Sequence, residues 1–401
     1  MPSEKNASVL IVGAGPCGLV AANLLVDSGI PVTIVETNVD VPRDLRASTF
    51  HPPTLDMLDR YGLAAPLIAQ GLVSPEWQIR MHESGERVVF DLSVLKDDTA
   101  HPFRLQCEQS RLCRLLLGWL QDDPNVRIIF DARVETVAQD GDGVVAHVRT
   151  GSGEAFAVAG RLLVAADGGR SQVRQQLGVD MHGETYPETT ILATTRFAFE
   201  ANLEGLSNVN YVWTRQGTYS LLRLPDLWRC SLYPDAGESI EDALTPAAIE
   251  RKQQRIVPRD TPYDVMEIRP YRVHRKIVEN FRIGRVLLAG DAAHINSPSG
   301  GMGMNGGIHD AFALTSAIAD MWPNGDLARL DRYDRSRRPI AAEEILGQAH
   351  ENRSRMQERD GERRREAFAN LQSIVADRDR LRTHLLRSSM IAGLRRAEAL
   401  V

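Results

Sequence analysis

The most constraining stretch of this chain lies near its start. Gly13-Ala14-Gly15-Pro16-Cys17-Gly18 follows a β-branched run, Val9 to Val12, and opens an apolar segment from Pro16 to Ser28. A strand that turns through G-x-G-x-x-G into a helix is the context in which those glycines bind a pyrophosphate. Gly13 permits the tight turn, Gly15 lets backbone approach the ligand, and Gly18 lets helix and strand pack closely. The helix N-terminus adds unpaired N–H groups and a positive dipole end, and Pro16 suits the first helical turn, where its missing N–H costs nothing. A second strand, Pro31 to Val35, ends at Glu36, about where an acid meets an adenosine ribose hydroxyl. This fingerprint alone does not separate NAD from FAD.

The same region is uncharged from Asn6 to Val26 and follows Lys5, which gives it a superficial likeness to a signal peptide or a membrane span. Glycines, a proline and Asn23 interrupt it, so the expectation is a cytoplasmic protein with no membrane segment. With 47 basic against 53 acidic side chains the net charge is −6, which argues against a protein that works by neutralising nucleic-acid phosphates. A length of 401 residues allows two or three domains. The four cysteines form no C-x-x-C pair, so neither a disulfide framework nor a zinc site is indicated.

Two further segments narrow the ligand. Arg161 to Arg174 reads as a buried strand running into Asp167-Gly168-Gly169 and then a basic helix. Gly284 to His294 reads as another buried strand ending in Gly290-Asp291. It is followed by Ile295-Asn296-Ser297-Pro298-Ser299-Gly300-Gly301-Met302-Gly303-Met304-Asn305-Gly306-Gly307 and an apolar helix from Ile308 to about Met321. Five glycines between 300 and 307 let backbone lie flat against a ligand, and the helix that follows aims its positive end at negative charge.

These three motifs, in this order, resemble the single-component FAD-dependent aromatic hydroxylases, the para-hydroxybenzoate hydroxylase-like flavoprotein monooxygenases. The resemblance spans about residues 8 to 340. It implies an α/β fold: a Rossmann-like FAD-binding domain with an inserted, mainly antiparallel-sheet substrate domain and a C-terminal helical segment. It also implies that Asp291 bonds the ribityl chain, that Asp167 and Gly168 lie by the pyrophosphate, and that backbone from Pro298 through Gly300, Gly301, Met302, Gly303, Met304 and Asn305 floors the flavin ring. Pro298 then stands at its reactive edge. Arg46 matches the arginine that helps hold the flavin, and Gln106 and Arg111 match ribityl-side contacts. Ser297 stands where close relatives carry proline.

Between Gly183 and about Glu267 the pattern turns strand-like: Thr189 to Glu200, Asn208 to Arg215, Thr218 to Leu224 and Leu227 to Tyr233 read as an antiparallel sheet. A helix from Thr245 to Val257 follows. The expected division is 1–78, 101–184 and 268–325 for the FAD domain, 79–100 and 185–267 for the substrate domain, and 326–401 for the helical region. Tyr211, Trp213, Tyr219 and Arg223, with Tyr233, alternate along these strands and are candidate contacts to a small aromatic substrate. His51 and His274 are candidate acid–base groups because imidazole titrates near neutrality, whereas His294 belongs to the motif and reads as structural. The arginine-rich tail, with Arg363-Arg364-Arg365 between Glu362 and Glu366, reads as a solvated or dimer-facing helix surface rather than a nucleic-acid arm.

The resemblance implies monooxygenation: NADH or NADPH reduces FAD, O2 gives a C4a-hydroperoxide, and one oxygen passes to an electron-rich ring. With one dinucleotide fingerprint in the chain, the nicotinamide is expected to bind only transiently. The Trp-x-Trp-x-Ile-Pro segment of flavin halogenases is absent. An epoxidase, or a flavoprotein that shields an intermediate without turnover, remains an open alternative at this stage.

Overall fold

The computed structural model describes residues 8–42 and 47–400. The chain opens with β1 (Val9–Val12), turns into α1 (Pro16–Asp27) and returns as β2 (Val32–Val35). Next come β3 (Thr49–Phe50), α2 (Pro52–Asp59), α3 (Ala64–Ile68) and β4 (Leu72–Ser74), then a hairpin of β5 (Glu76–Met81) and β6 (Arg87–Asp91). β7 (Arg104–Gln106), α4 (Gln109–Leu120) and β8 (Val126–Ile129) lead back to the start. A meander of β9 (Ala132–Gln139), β10 (Val144–Thr150) and β11 (Ala155–Gly160) precedes β12 (Leu162–Ala165) and α5 (Gln172–Gln176).

The long β13 (Met181–Thr195) is followed by β14 (Val209–Thr214), β15 (Gly217–Leu224), β16 (Leu227–Leu232), α6 (Ile240–Ala243), α7 (Pro246–Gln254) and the equally long β17 (Val265–Val278). After β18 (Arg282–Ile283), β19 (Val286–Leu288) and β20 (His294–Ile295), the chain continues as helices: α8 (Met302–Met321), α9 (Asp331–Ile340), α10 (Leu346–Gln357), α11 (Gly361–Ala376), α12 (Arg378–Ser388) and α13 (Ile391–Ala399).

Two sheets carry the molecule. The first has the order β18-β19-β12-β1-β2-β8, and its central strands β19, β12, β1, β2 and β8 are parallel. β1, β2 and β12 are buried along their whole length, as expected of strands covered on both faces. The second has the order β20-β17-β13-β16-β15-β14-β5-β6 and is antiparallel except between β14 and β5. A small sheet, β3-β7-β4, lies in the chain between the two.

The expected α/β layer with an inserted, largely antiparallel sheet is what forms. Three details differ from the sequence reading. The first inserted strand runs from Met181 to Thr195 and ends before Phe199, where a short 3-10 turn (Phe199–Ala201) begins. α8 begins at Met302 rather than Ile308, so Gly303, Gly306 and Gly307 are helical. They serve packing: a Cβ on Gly307 would meet Gly290 Cα at 3.2 Å, and one on Gly306 would meet Ile345 Cδ1 at 2.7 Å. The tail is also more than a solvated arm. Phe368, Leu371, Leu381 and Leu385 join Trp77, Phe90 and Trp213 in a second core on one face of the large sheet. Arg364, the middle of the three arginines, is buried and donates to the carbonyls of Thr214, Gly217 and Glu358. Among the described residues no helix is long and apolar enough to cross a membrane.

Candidate active site

The glycine turn has the geometry its sequence implies. Gly13 has φ +103, and a Cβ there would meet Ala166 O at 2.4 Å, so only glycine fits between β1 and β12. Nothing lies within 4 Å of a Cβ built on Gly15, which leaves that side of the turn open to a ligand. Glu36, 8% exposed, accepts the Ala14 N–H at 2.7 Å with Oε2 and the Asn38 N–H at 2.9 Å with Oε1. The acid therefore braces the turn as well as standing at the end of β2.

Asp167, just past β12, accepts the Val173 N–H at 3.2 Å through Oδ2, while its Oδ1 is buried with no partner. Burial raises its carboxyl above the ordinary range, and the surrounding hydrogen bonds oppose that. Gly168 beside it has open space around its Cα. Asp291 is exposed, on a single 3-10 turn (Gly290–Ala292) after β19. The turn itself is held from below. Asp310 of α8 accepts the Gly290 N–H at 3.1 Å and the His294 Nε2–H at 2.7 Å with one oxygen, and Arg337 Nε–H at 2.8 Å with the other. All three side chains are buried. Sequence reading missed Asp310 and Arg337; the available signal was a lone charge in the apolar run from Ile308 to Ala319.

The glycine-rich segment closes the site. Gly300 and Gly301 have φ +98 and +68, and Gly301 caps α8 in the left-handed conformation. Pro298 is exposed on this loop, and its carbonyl accepts the Gly301 N–H at 3.1 Å. The Met302 and Asn305 side chains belong to the interior, so only backbone here can serve a ligand. Asn305 accepts the His51 N–H at 2.9 Å and donates to Thr49 O and Gly301 O at 2.8 and 2.7 Å, stapling the loop to β3. Gly303 and Met304 follow on the first turn of α8. Gln106, fully buried on β7, accepts from Thr49 Oγ1–H at 3.0 Å, which leaves Nε2 buried and unpartnered. Arg111 pairs with Glu108 at 2.6 Å in the first turn of α4. Arg46 lies outside the described residues.

His51 is fully buried. Its Nε2–H donates to Gly300 O at 2.8 Å, and Nδ1 is left buried without a partner. Burial and the neighbouring Arg104 lower its pKa to about 3, which favours the neutral imidazole and sets it apart from a group that titrates near neutrality. His274 is on β17, bonded to Thr185 at 2.9 Å, and its pKa is lowered by burial and then by Lys276 and Arg272 of its own strand. The charges acting on it come from that strand and not from the group around Gly300.

Strand parity divides the substrate candidates. Tyr211 and Trp213 share one face of β14, packed against the core formed with the C-terminal helices. Trp213 is buried there, and its Nε1–H donates to Arg355 O at 3.1 Å, so it positions α10 and has no free edge. Tyr219 pairs with Val212 and points to the opposite face, a core closed by α7. Arg223 shares that face, lies over Trp228 and pairs with Glu200 at 3.0 Å. Tyr219 and Arg223 are thus turned away from Tyr211, so these candidate contacts divide between two faces of the sheet. The Tyr233 hydroxyl reaches Thr190 and Gln357.

Gathered near Gly300 instead are residues the sequence did not single out. Arg104, on the same face of β7 as Gln106, bonds the Tyr211 hydroxyl and lies 5.0 Å from the centre of the Trp77 ring. A Cβ on Gly300 would meet Asn352 Nδ2 of α10 at 2.8 Å, and Arg355 one turn on reaches Asn352 Oδ1 at 3.5 Å. Arg229, on β16, donates to Ser48 Oγ at 3.2 Å beside β3.

The comparisons with known proteins agree with this architecture. Residues 6–347 match the family model described as FAD binding domain. The chain is 35% identical over 399 residues to para-nitrophenol 4-monooxygenase of Pseudomonas sp. strain WBC-3, covering 98% of each protein. It belongs to the FAD-dependent aromatic hydroxylases. A second relative of this family is 6-hydroxy-3-succinoylpyridine 3-monooxygenase of Pseudomonas putida, 32% identical over 94% of this chain and 96% of that one. Among solved structures, p-nitrophenol 4-monooxygenase of Pseudomonas putida DLL-E4 superposes with a TM-score of 0.89 at 31% identity, covering 95% and 97% of the two chains. The enzyme is therefore a flavin monooxygenase, and its cofactor is FAD. The residues present fit that group: Gly15 leaves one side of the turn open, and Gln106 Nε2, His51 Nδ1 and Asp167 Oδ1 are buried without partners.

Proposed function

We propose that this hydroxylase uses NADH or NADPH and O2 to hydroxylate a small phenolic or hydroxylated heteroaromatic ring. When bound, FAD supplies electron uptake from the nicotinamide and the activation of dioxygen. The chain's own residues do the rest. The Gly13–Gly18 turn and Glu36 receive the adenosine diphosphate half, with Asp167 and Gly168 beside the pyrophosphate and Arg46 on the flavin side. Asp291, Gln106 and Arg111 take the ribityl chain, and backbone from Pro298 to Gly303 floors the ring. The helix dipole of α8 favours negative charge developing above that floor. Tyr211 faces the substrate, and the enclosure between the large sheet, β3-β7-β4 and α10 keeps water away from it.

One observation carries the reading: the glycine loop at Gly300 is pinned by His51 and Asn305 against β3, with Tyr211, Arg104 and Asn352 grouped around it. The names of the relatives, acting on nitrophenol and a hydroxypyridine, support the ring class. Residues 13–18 hold one dinucleotide turn, in keeping with a nicotinamide that binds transiently; a cytoplasmic location and a homodimer complete the proposal.

The test is NADH and NADPH consumption with product mass, run against phenols, hydroxybenzoates, hydroxypyridines and quinolones. A hydroxylated product formed in step with oxidation supports the reading. Hydrogen peroxide with no product from every ring contradicts it.

A further inference from the structure

We propose that Tyr186 and Glu188 are positioning residues for the flavin: through His350 and Arg353 they fix the rotation of α10, which sets Asn352 against Gly300 and so holds the loop that floors the ring. The inference rests on the reading of that loop as the flavin floor.

Both residues lie where β13 breaks its register with β17. Between the pairs Thr185–His274 and Thr189–Arg272, the three residues Tyr186-Pro187-Glu188 stand opposite Val273 alone. A bulge re-aims side chains, and a proline is tolerated at one because its missing N–H is not needed by the ladder. Here the side chains on either side of Pro187 both reach α10. The Tyr186 hydroxyl meets His350 Nδ1 at 2.5 Å, and the two rings stack with centres 5.8 Å apart. Glu188 accepts from Arg353 Nε–H and, at 2.6 Å, from Nη2–H. The same guanidinium lies 3.6 Å from the centre of the Tyr186 ring.

These contacts are ill suited to a plain strut. Tyr186 is 6% exposed and the Glu188 and Arg353 side chains 16% each. A pair so far from water adds little net stability over apolar packing, but a two-pronged bond with a ring against its face admits one orientation of the helix. His350 and Arg353, one turn apart, give one side of α10 to β13; Asn352 and Arg355, also one turn apart, lie on another. That second side meets the loop. A Cβ built on Gly300 would lie 2.8 Å from Asn352 Nδ2, while Asn352 Oδ1 accepts from Arg355 Nη1–H at 3.5 Å, which turns the amide nitrogen toward the glycine. From the opposite direction His51 Nε2–H donates to the Gly300 carbonyl at 2.8 Å. Gly300, at φ +98, is thus clamped between His51 and α10, and a rotation of α10 that withdraws Asn352 leaves the loop held from one side only.

The visible spectrum of the FAD-loaded enzyme, and the flavin fluorescence released on dilution, test this without turnover. Tyr186→Phe, Glu188→Gln and Asn352→Ala should each alter the spectrum and raise the Kd for FAD about two- to tenfold. Tyr186→Phe combined with Asn352→Ala should go no further than the larger single change, because both act on one contact. Asp98→Asn is the control for stability alone. It breaks the pairs with Arg382 and Arg395 at 2.6 and 2.8 Å, and should lower the melting temperature while leaving spectrum and Kd as in the wild type. An unchanged flavin in Tyr186→Phe and Asn352→Ala, additive effects of the two, or the same flavin change in Asp98→Asn overturns the proposal; these variants decide if Glu188→Gln does not fold. Gly300→Ala strains the loop directly, since alanine resists a positive φ. A spectrum altered by Gly300→Ala but by none of the other variants defeats this inference only, whereas a spectrum indifferent to Gly300→Ala defeats the reading of the loop as the flavin floor.

Discussion

Asp310 and His294 meet at 2.7 Å in the interior, and the carboxylate that takes the His294 proton donor also takes the N–H of Gly290, the residue before Asp291. The turn that carries the exposed Asp291, which we propose as a ribityl contact, is thus held by a buried ionic network on the next helix. The His294 and Arg337 partners hold the Asp310 carboxyl far below the ordinary range. Asp310→Ala leaves Arg337 buried without its partner, at a cost of about 3–5 kcal/mol. Denaturant unfolding should show this loss. Asp291→Ala, by contrast, should leave the unfolding of the cofactor-free protein nearly unchanged while weakening FAD by about 1–3 kcal/mol; equal destabilisation by the two variants contradicts the division of roles.

Buried neutral histidines give the stability a defined pH slope. The pKa of His51 falls to about 3 and that of His384 to about 4, and His309, bonded to Thr54, is also pushed down by burial. Between those values and about 6.5 the unfolded chain binds protons that the native chain does not, so stability is lost as pH falls through that window. Each such histidine contributes about 1.4 kcal/mol per pH unit. Unfolding measured at pH 7.5 and 5.5 should show a smaller loss for His51→Gln than for the wild type. A limb of the activity profile near pH 6.5 that vanishes in His51→Gln would contradict its neutral state.

Strand parity predicts opposite outcomes for two tyrosines eight residues apart. Tyr211→Phe removes the hydroxyl beside Arg104 and should raise KM or lower kcat at least about tenfold for a phenolic substrate, the loss of a charge-assisted bond. Tyr219→Phe removes a bond to His82 on the far face and should leave both constants within about twofold, since contacts there concern stability of about 1 kcal/mol. Steady-state kinetics on the two variants separate the faces.

Gly307 and Gly347 should respond in opposite directions to alanine. Gly307→Ala brings Cβ to 3.2 Å from Gly290 Cα, backbone that cannot swing aside, so α8 must shift and FAD retention should fall. Gly347, in α10, has nothing within 4 Å of its added Cβ, and Gly347→Ala should stabilise by about 0.5–1 kcal/mol. Melting curves and flavin content of the two variants check this.

Local signals carried the first layer. Gly13, Gly15 and Glu36 were legible because strand, turn, helix and acid fall within a few dozen residues and each glycine has its own steric reason. The start of α8 was misplaced because Gly303, Gly306 and Gly307 lower helix propensity locally, while the gain comes from close contact with Gly290 and Ile345, which only the tertiary structure supplies. The face of Tyr219 and Arg223 was lost to a one-residue question of parity: alternation shows that two faces exist without showing which is covered by α7. Arg104 and Arg355 are the deeper omission. They come from β7 and α10, 251 residues apart in the chain, and nothing local in either segment marks a buried cation near the Gly300 loop.

The central claim is that one atom of dioxygen enters an aromatic ring at this site. Turnover under isotopically labelled O2 in ordinary water, with NADH or NADPH and the substrate found by screening, tests it most directly. The account predicts a product heavier by a single labelled oxygen, on the ring. Unlabelled hydroxyl in the product, or label confined to hydrogen peroxide, would contradict it.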